Sequence, residues 1–64
     1  MEGRIKFFKQ DKGFGFIIGE DEKDYFFHIT GFREQPENVS KDDAVTFDVV
    51  ENNRGLQAVN IELN

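Results

Sequence analysis

Large apolar side chains stand at alternate positions along Lys12-Gly13-Phe14-Gly15-Phe16-Ile17-Ile18, and a period of two predicts a β-strand. Phe14, Phe16 and Ile18 then share one face, while Gly13, Gly15 and Ile17 share the other. A second aromatic run, Tyr25-Phe26-Phe27-His28-Ile29, predicts a strand in which Tyr25, Phe27 and Ile29 oppose Phe26 and His28. Before these, Arg4-Ile5-Lys6-Phe7 alternates and then breaks into Phe8-Lys9, which predicts a first strand with an irregularity near its end. Ala44 to Glu51 alternates again, with Val45, Phe47 and Val49 inward and Thr46 and Asp48 outward. Asn52-Asn53-Arg54-Gly55 is a hairpin signal, because asparagine and glycine supply the positive φ such turns need. The last strand, Leu56 to Leu63, is expected to put Val59, Ile61 and Leu63 on one face.

The connections sort by length. Gln10 to Lys12 and Gly19 to Asp24 are short and polar, so the first three strands form a meander. Residues 30–43 are long for so small a chain, with Phe32 and Val39 as the available anchors, and are expected to be functional or to cross between sheets. No segment shows helical periodicity, an internal repeat or low complexity. The fold class is therefore all-β, with five antiparallel strands that close most economically into a barrel, since closure removes exposed edges. An SH3-like barrel is the alternative topology.

Phe8, Phe27, Phe32 and Phe47 are assigned to the core. The second and third strands cannot bury both of their apolar faces, because no helix is predicted to cover them. What remains is an exposed patch of Phe14, Phe16, Phe26 and His28, with Lys6 and Lys12 close by in sequence. Contiguous exposed aromatic surface marks a binding site, and rings with basic neighbours suit unpaired bases. Gly13 and Gly15 are expected to let a neighbouring group approach closely.

Composition narrows this picture. Sixty-four residues make one domain, 1–64, burying about 60% of the unfolded chain's surface. There are no cysteines and one histidine, so no disulfide framework, metal site or cofactor is expected. No apolar run approaches a membrane span and no secretory signal is evident, so a cytoplasmic location is expected. The net charge of −5 argues against indiscriminate duplex binding, yet residues 1–12 carry four basic residues against two acids. The acids show no catalytic arrangement and no nucleotide-cradling loop occurs, so an enzyme is not expected.

Lys12-Gly13-Phe14-Gly15-Phe16-Ile17 resembles the first ribonucleoprotein motif, and Tyr25-Phe26-Phe27-His28-Ile29 the second, in the order and spacing of the bacterial cold-shock domain. RNA-recognition motifs use a similar first sequence, but a strand, a helix and another strand precede it there. The resemblance runs from Gly3-Arg4-Ile5-Lys6-Phe7-Phe8 to Asn53-Arg54-Gly55-Leu56-Gln57-Ala58. It implies a five-stranded OB-fold barrel that binds single-stranded RNA and DNA. Carried over position by position, it implies stacking by Phe7, Phe14, Phe16, Phe26 and His28, with Lys6, Lys12 and Arg54 contacting the strand.

The chain departs from that pattern in four places. Phe7 stands where the family usually has tryptophan, and Ile29 where it has a further stacking phenylalanine. The long loop carries Gln35-Pro36-Glu37 in place of another aromatic, and Phe27 is bulkier than the usual valine. Weaker binding or a shorter footprint is the expected consequence. The leading expectation is a monomeric, ATP-independent nucleic-acid chaperone that favours pyrimidine-rich single strands and so regulates transcription or translation. The competing one is a protein-interaction module that has kept the barrel and lost much of its nucleic-acid affinity.

Overall fold

A computed structural model describes residues 1–36 and 38–64. Five strands, β1 (Glu2–Lys9), β2 (Phe14–Gly19), β3 (Asp24–His28), β4 (Ala44–Asn52) and β5 (Gly55–Leu63), close into a barrel in the order β1-β2-β3-β5-β4. Four of the neighbouring pairs are antiparallel, and β3 pairs with β5 in parallel through Phe26 and Gln57. A ring of five strands cannot alternate direction all the way round, so one parallel seam is obligatory. Phe32 extends that seam by bridging to Ile61. No helix among the described residues is long and apolar enough to cross a membrane.

The core is the inward set of these strands: Ile5, Ile17, Tyr25, Phe27, Phe32, Val45, Phe47, Ala58 and Ile61, with Phe8, Ile29, Val39 and Val49 packed against it. Phe27 lies at its centre, stacked on Phe8 at 5.7 Å and edge-on to Phe32 at 5.8 Å. Offset and edge-on geometries suit the quadrupoles of the rings, which explains how the barrel absorbs so bulky a residue. Gly15 makes room for this stack: a Cβ there would run into the Phe7 carbonyl oxygen and lie 2.9 Å from the Phe27 ring. The close approach expected at Gly15 is thus made by β1 itself. At Gly13 a Cβ would lie 3.2 Å from the Ile29 side chain, and the residue also has a φ of 72°.

Two strands depart from simple alternation, and in both a bulge is the cause. The β1–β2 register shifts between Ile5 and Phe7, where Ile5 pairs with Ile17 and Phe7 with Phe16. Lys6 is therefore the extra residue, earlier than the irregularity expected near Phe8. An inserted residue reverses the facing of everything beyond it, so Ile5 is buried, Phe7 points out and Phe8 points in. In β5 the chain takes one more residue than β4 between Val59 and Glu62, and Asn60 adopts a φ of 52°. Ala58 and Ile61 are buried as a result, while Leu63 stays 39% exposed and Val59 half-exposed. Val59 is thus turned off the face of Ile61 that strict alternation predicts, whereas Leu63, beyond the same extra residue as Ile61, is exposed at the end of the strand.

The long connection crosses the barrel. It opens with a 3-10 turn, Ile29–Gly31, where the third strand was expected to run on to Ile29. Phe32 and Val39 do anchor it, and at its end the Asp42 backbone N–H donates to the Ile5 carbonyl at 2.8 Å. Glu37, in the segment that lacks the family's aromatic, lies outside the described residues. In the β4–β5 hairpin only Gly55 has a positive φ, 105°; Asn52 contributes its side-chain oxygen, which accepts the Arg54 backbone N–H at 2.9 Å.

The β2–β3 turn is tied to the core by one side chain. The Tyr25 ring is buried, and its hydroxyl donates to the Asp21 carboxylate. That bond, together with the Lys23 backbone N–H, holds Asp21 below its ordinary 3.8, and the same bond pushes the Tyr25 phenol above 10.0. A carboxyl depressed in the folded state contributes stability that is present above its unfolded value and lost as pH falls through the folded one. The raised phenol contributes below its unfolded value and loses that contribution as pH rises through the folded one. Tyr25→Phe is therefore expected to flatten the decline in urea midpoint on acidification below the ordinary carboxylate range and on alkalinisation past the ordinary phenol range. An unchanged pH profile in that variant would show that the bond carries no linkage.

Candidate nucleic-acid interface

The register builds the aromatic face row by row. Phe7 on β1 pairs with Phe16 on β2, Phe16 pairs with Phe26 on β3, and Phe26 pairs with Gln57 on β5. Ring centroids lie 5.4 Å apart for Phe7 and Phe16 and 5.8 Å apart for Phe16 and Phe26. A second row runs Lys9, Phe14, His28, and Phe14 reaches diagonally to Phe26 at 5.9 Å. Phe26 is the hub, in contact with both rings of β2. Phe14, Phe16, Phe26 and His28 are all half-buried, because each ring leans on its neighbours, while Phe7 is 37% exposed. Ile18, 38% exposed, continues the apolar line.

The bulge at Lys6 decides whether Phe7 belongs to this face. Without the extra residue Phe7 would follow Ile5 inward, and the row would begin at β2. The same bulge directs the Lys6 side chain toward β3, where its ammonium meets the Asp24 carboxylate at 2.8 Å, with both groups about half exposed. An exposed pair of this kind is weak, yet it partly neutralises a cation that the sequence assigns to the strand. Lys12 lies exposed on the β1–β2 turn, outside the aromatic rows.

Arg54, distant in sequence, is brought to the opposite edge. With Phe26, His28, Thr30, Asn52, Asn53 and Gln57 it lines an open recess of about 650 Å³. His28 is held there by its neighbour: the Thr30 backbone N–H donates to Nδ1 at 3.3 Å, and the Thr30 hydroxyl lies 3.0 Å from the same nitrogen. Sequence reasoning missed Lys9 and the polar wall of Asn52 and Gln57. Lys9 was within reach, since alternation restarted at Phe7 puts it outward. The wall was not, because it depends on the parallel β3–β5 seam. No cluster of metal-ligating side chains occurs among the described residues.

A face with adjoining aromatic rings in the middle, lysines at one end and an arginine recess at the other can hold planar groups joined by an anionic backbone. Comparison with known proteins agrees. The family model for the "cold-shock" DNA-binding domain matches residues 1–64. The cold shock-like protein CspC of Bacillus cereus is 40% identical over 62 residues, 95% of each chain. The cold shock protein CspA of Staphylococcus aureus is 41% identical over 61 residues, 94% of this chain and 92% of its own. Among solved structures, Drosophila Unr CSD456 superposes with a TM-score of 0.80 at 31% identity, over 98% of this chain and 26% of the longer one. The chain belongs to the cold-shock domain family, a family of nucleic-acid-binding β-barrels.

Proposed function

We propose that residues 1–64 act as one cytoplasmic cold-shock domain that binds single-stranded RNA or DNA, stacking unpaired bases on Phe7, Phe14, Phe16, Phe26 and His28. Lys6, Lys12 and Arg54 contact the strand, and Lys9 joins them. The observation that carries this reading is the unbroken row Phe7–Phe16–Phe26 across three strands, Phe7 exposed and the other two half-buried. Each base stacked on such a ring is worth about 1–3 kcal/mol whatever its identity. Several platforms therefore supply useful affinity to a chain whose net charge is −5. Trapping the unpaired state shifts the folding equilibrium of an RNA by mass action, without ATP, which is how a protein with this face acts as a chaperone in transcription or translation.

The charge arrangement sets the salt dependence. Lys6 is engaged by Asp24, so three of the assigned cations, Lys9, Lys12 and Arg54, remain to displace counterions. At about −0.7 per phosphate neutralised on a single strand, the slope of log affinity against log salt is expected at roughly −2. A slope steeper than about −4 would assign the affinity to phosphates rather than to stacking.

An NMR titration with a short oligothymidine tests the whole reading. Shifts are expected in the amides of 6–9, 12–16, 26–30 and 52–57. Silence across 6–28 would overturn it and leave the protein-interaction module, for which the acidic remainder of the chain and the tethered Lys6 speak.

A further inference from the structure

Buried backbone groups of β1 find their partners in the long loop. Ile5 is 0% exposed, and on the β4 side the strand ladder ends one residue before it, at Arg4 and Ala44. Its N–H and C=O must still be paired, since a buried unpaired peptide group is costly. The loop supplies both partners: the Ile5 N–H donates to the Asp43 carbonyl at 3.0 Å, and the Asp42 N–H donates to the Ile5 carbonyl at 2.8 Å. Ile5 thus faces two loop residues at once, the pattern of a bulge whose first residue is left-handed. Asp42 has the φ this requires, 71°. It is the third residue of a turn, Ser40 to Asp43, closed by the Asp43 N–H on the Ser40 carbonyl at 3.1 Å and by the Ser40 N–H on the Asp43 carboxylate at 2.9 Å.

This loop bulge abuts the one at Lys6 on the other edge of β1. With Ile5 held by the turn, β1 cannot slide, and the residue in excess of β2 is taken up at Lys6, which sends Phe7 outward to Phe16. With Ile5 released, the excess can be taken up further on, and Phe7 follows Ile5 inward, in competition with Phe8 for the seat beside Phe27. We infer that Asp42 and Asp43 are positioning residues for nucleic-acid binding: the turn they form fixes the bulge that puts Phe7 into the aromatic row. They act from the β4 edge of β1, across the strand from the rings of β2. The inference rests on the proposed single-strand binding and adds to it the element that sets one of the platforms.

Matched substitutions test it, with affinity for oligothymidine read by fluorescence anisotropy on protein kept folded at low temperature. Asp42→Gly and Asp42→Val remove the same charge, but glycine takes a φ of 71° without strain and a β-branched residue does not. Asp42→Gly is expected to bind within about twofold of the native protein, and Asp42→Val at least about fivefold more weakly, the lower bound for one stacked base. Asp43→Ala, a milder change, is expected to lie between them, and Asp43→Asn, which keeps an acceptor for the Ser40 N–H, to restore the native value. In a Phe7→Ala background Asp42→Val is expected to cost less than about twofold, because the platform it misplaces is already gone. NOE contacts between the Phe7 and Phe16 rings, whose centroids lie 5.4 Å apart, supply the second readout. They are expected to persist in Asp42→Gly and to weaken in Asp42→Val.

Equal affinities of Asp42→Gly and Asp42→Val would overturn the inference. So would a loss of the same size in the Phe7→Ala background, which would mark damage to the barrel as a whole. Should Asp42→Val not fold, the decision passes to Asp43→Ala, in which native affinity and unchanged ring contacts would overturn the role of the turn. Should the native protein bind no oligothymidine, the proposed function falls by itself, and intact Phe7–Phe16 contacts in Asp42→Val would then overturn the positioning of Phe7 as well.

Discussion

Replacing Phe26 with alanine is expected to weaken oligothymidine binding by roughly 1–3 kcal/mol, more than replacing any other single ring of the face. The reason is its place in the lattice of rings. Phe26 contacts Phe14 at 5.9 Å and Phe16 at 5.8 Å and also walls the recess that holds Arg54. Its removal opens a gap between the two halves of the site, so bases stacked on either side lose a neighbour. The cost in stability should be small, about 1 kcal/mol, since the ring gives up aromatic contacts on the surface and no core packing. Parallel measurements of affinity and of the urea midpoint check this. A large loss of midpoint with unchanged affinity would place Phe26 in the core and overturn the assignment of the whole face.

The residue next to it is expected to behave in the opposite way. Phe27→Ala removes the ring at the centre of the barrel, fully buried, stacked on Phe8 and edge-on to Phe32. Truncations of this kind cost about 3–5 kcal/mol. For a 64-residue chain that is comparable to the entire stability, since small domains hold roughly 0.05–0.15 kcal/mol per residue. Circular dichroism should show a broad, early thermal transition or none. Any loss of binding should then track the unfolded fraction and recover at low temperature or in a stabilising osmolyte. A normal transition in Phe27→Ala would mean that the barrel closes without this ring.

The adjacent pair makes plain how much of the molecule was readable in advance. A period of two assigns Phe26 outward and Phe27 inward with no knowledge of the partner strands, because successive side chains of a strand must oppose one another. By the same reasoning Phe14 and Phe16 were placed outward and Ile17 inward, as they stand. Five strands, the hairpin at Asn52–Gly55, the anchors Phe32 and Val39, and closure into a barrel also followed from local pattern. Local pattern failed where one strand took a residue more than its partner. Phe7 lies beyond one insertion and Val59 is parted from Ile61 by another, and no propensity marks either. A bulge is a property of two strands in register, and one strand's sequence does not contain it.

The same division holds for the site. The identity of the rings and the excess of basic residues near the N-terminus were determined by the sequence alone, because hydrophobic alternation and residue chemistry are local. Which rings touch, that Lys6 is tethered to Asp24, and that Arg54 and Gln57 stand beside Phe26 were decided by tertiary structure. The physical cause is the odd number of strands. Closing five strands forces one parallel seam, and that seam joins β3 to β5 across 31 positions of sequence, from Phe26 to Gln57. The wall of Asn52 and Gln57 is hydrogen-bonded within the β4–β5 hairpin, and only this closure brings it beside Phe26. A sequence with the same rings on an open sheet would keep the stacking platforms and lose the polar wall beside them.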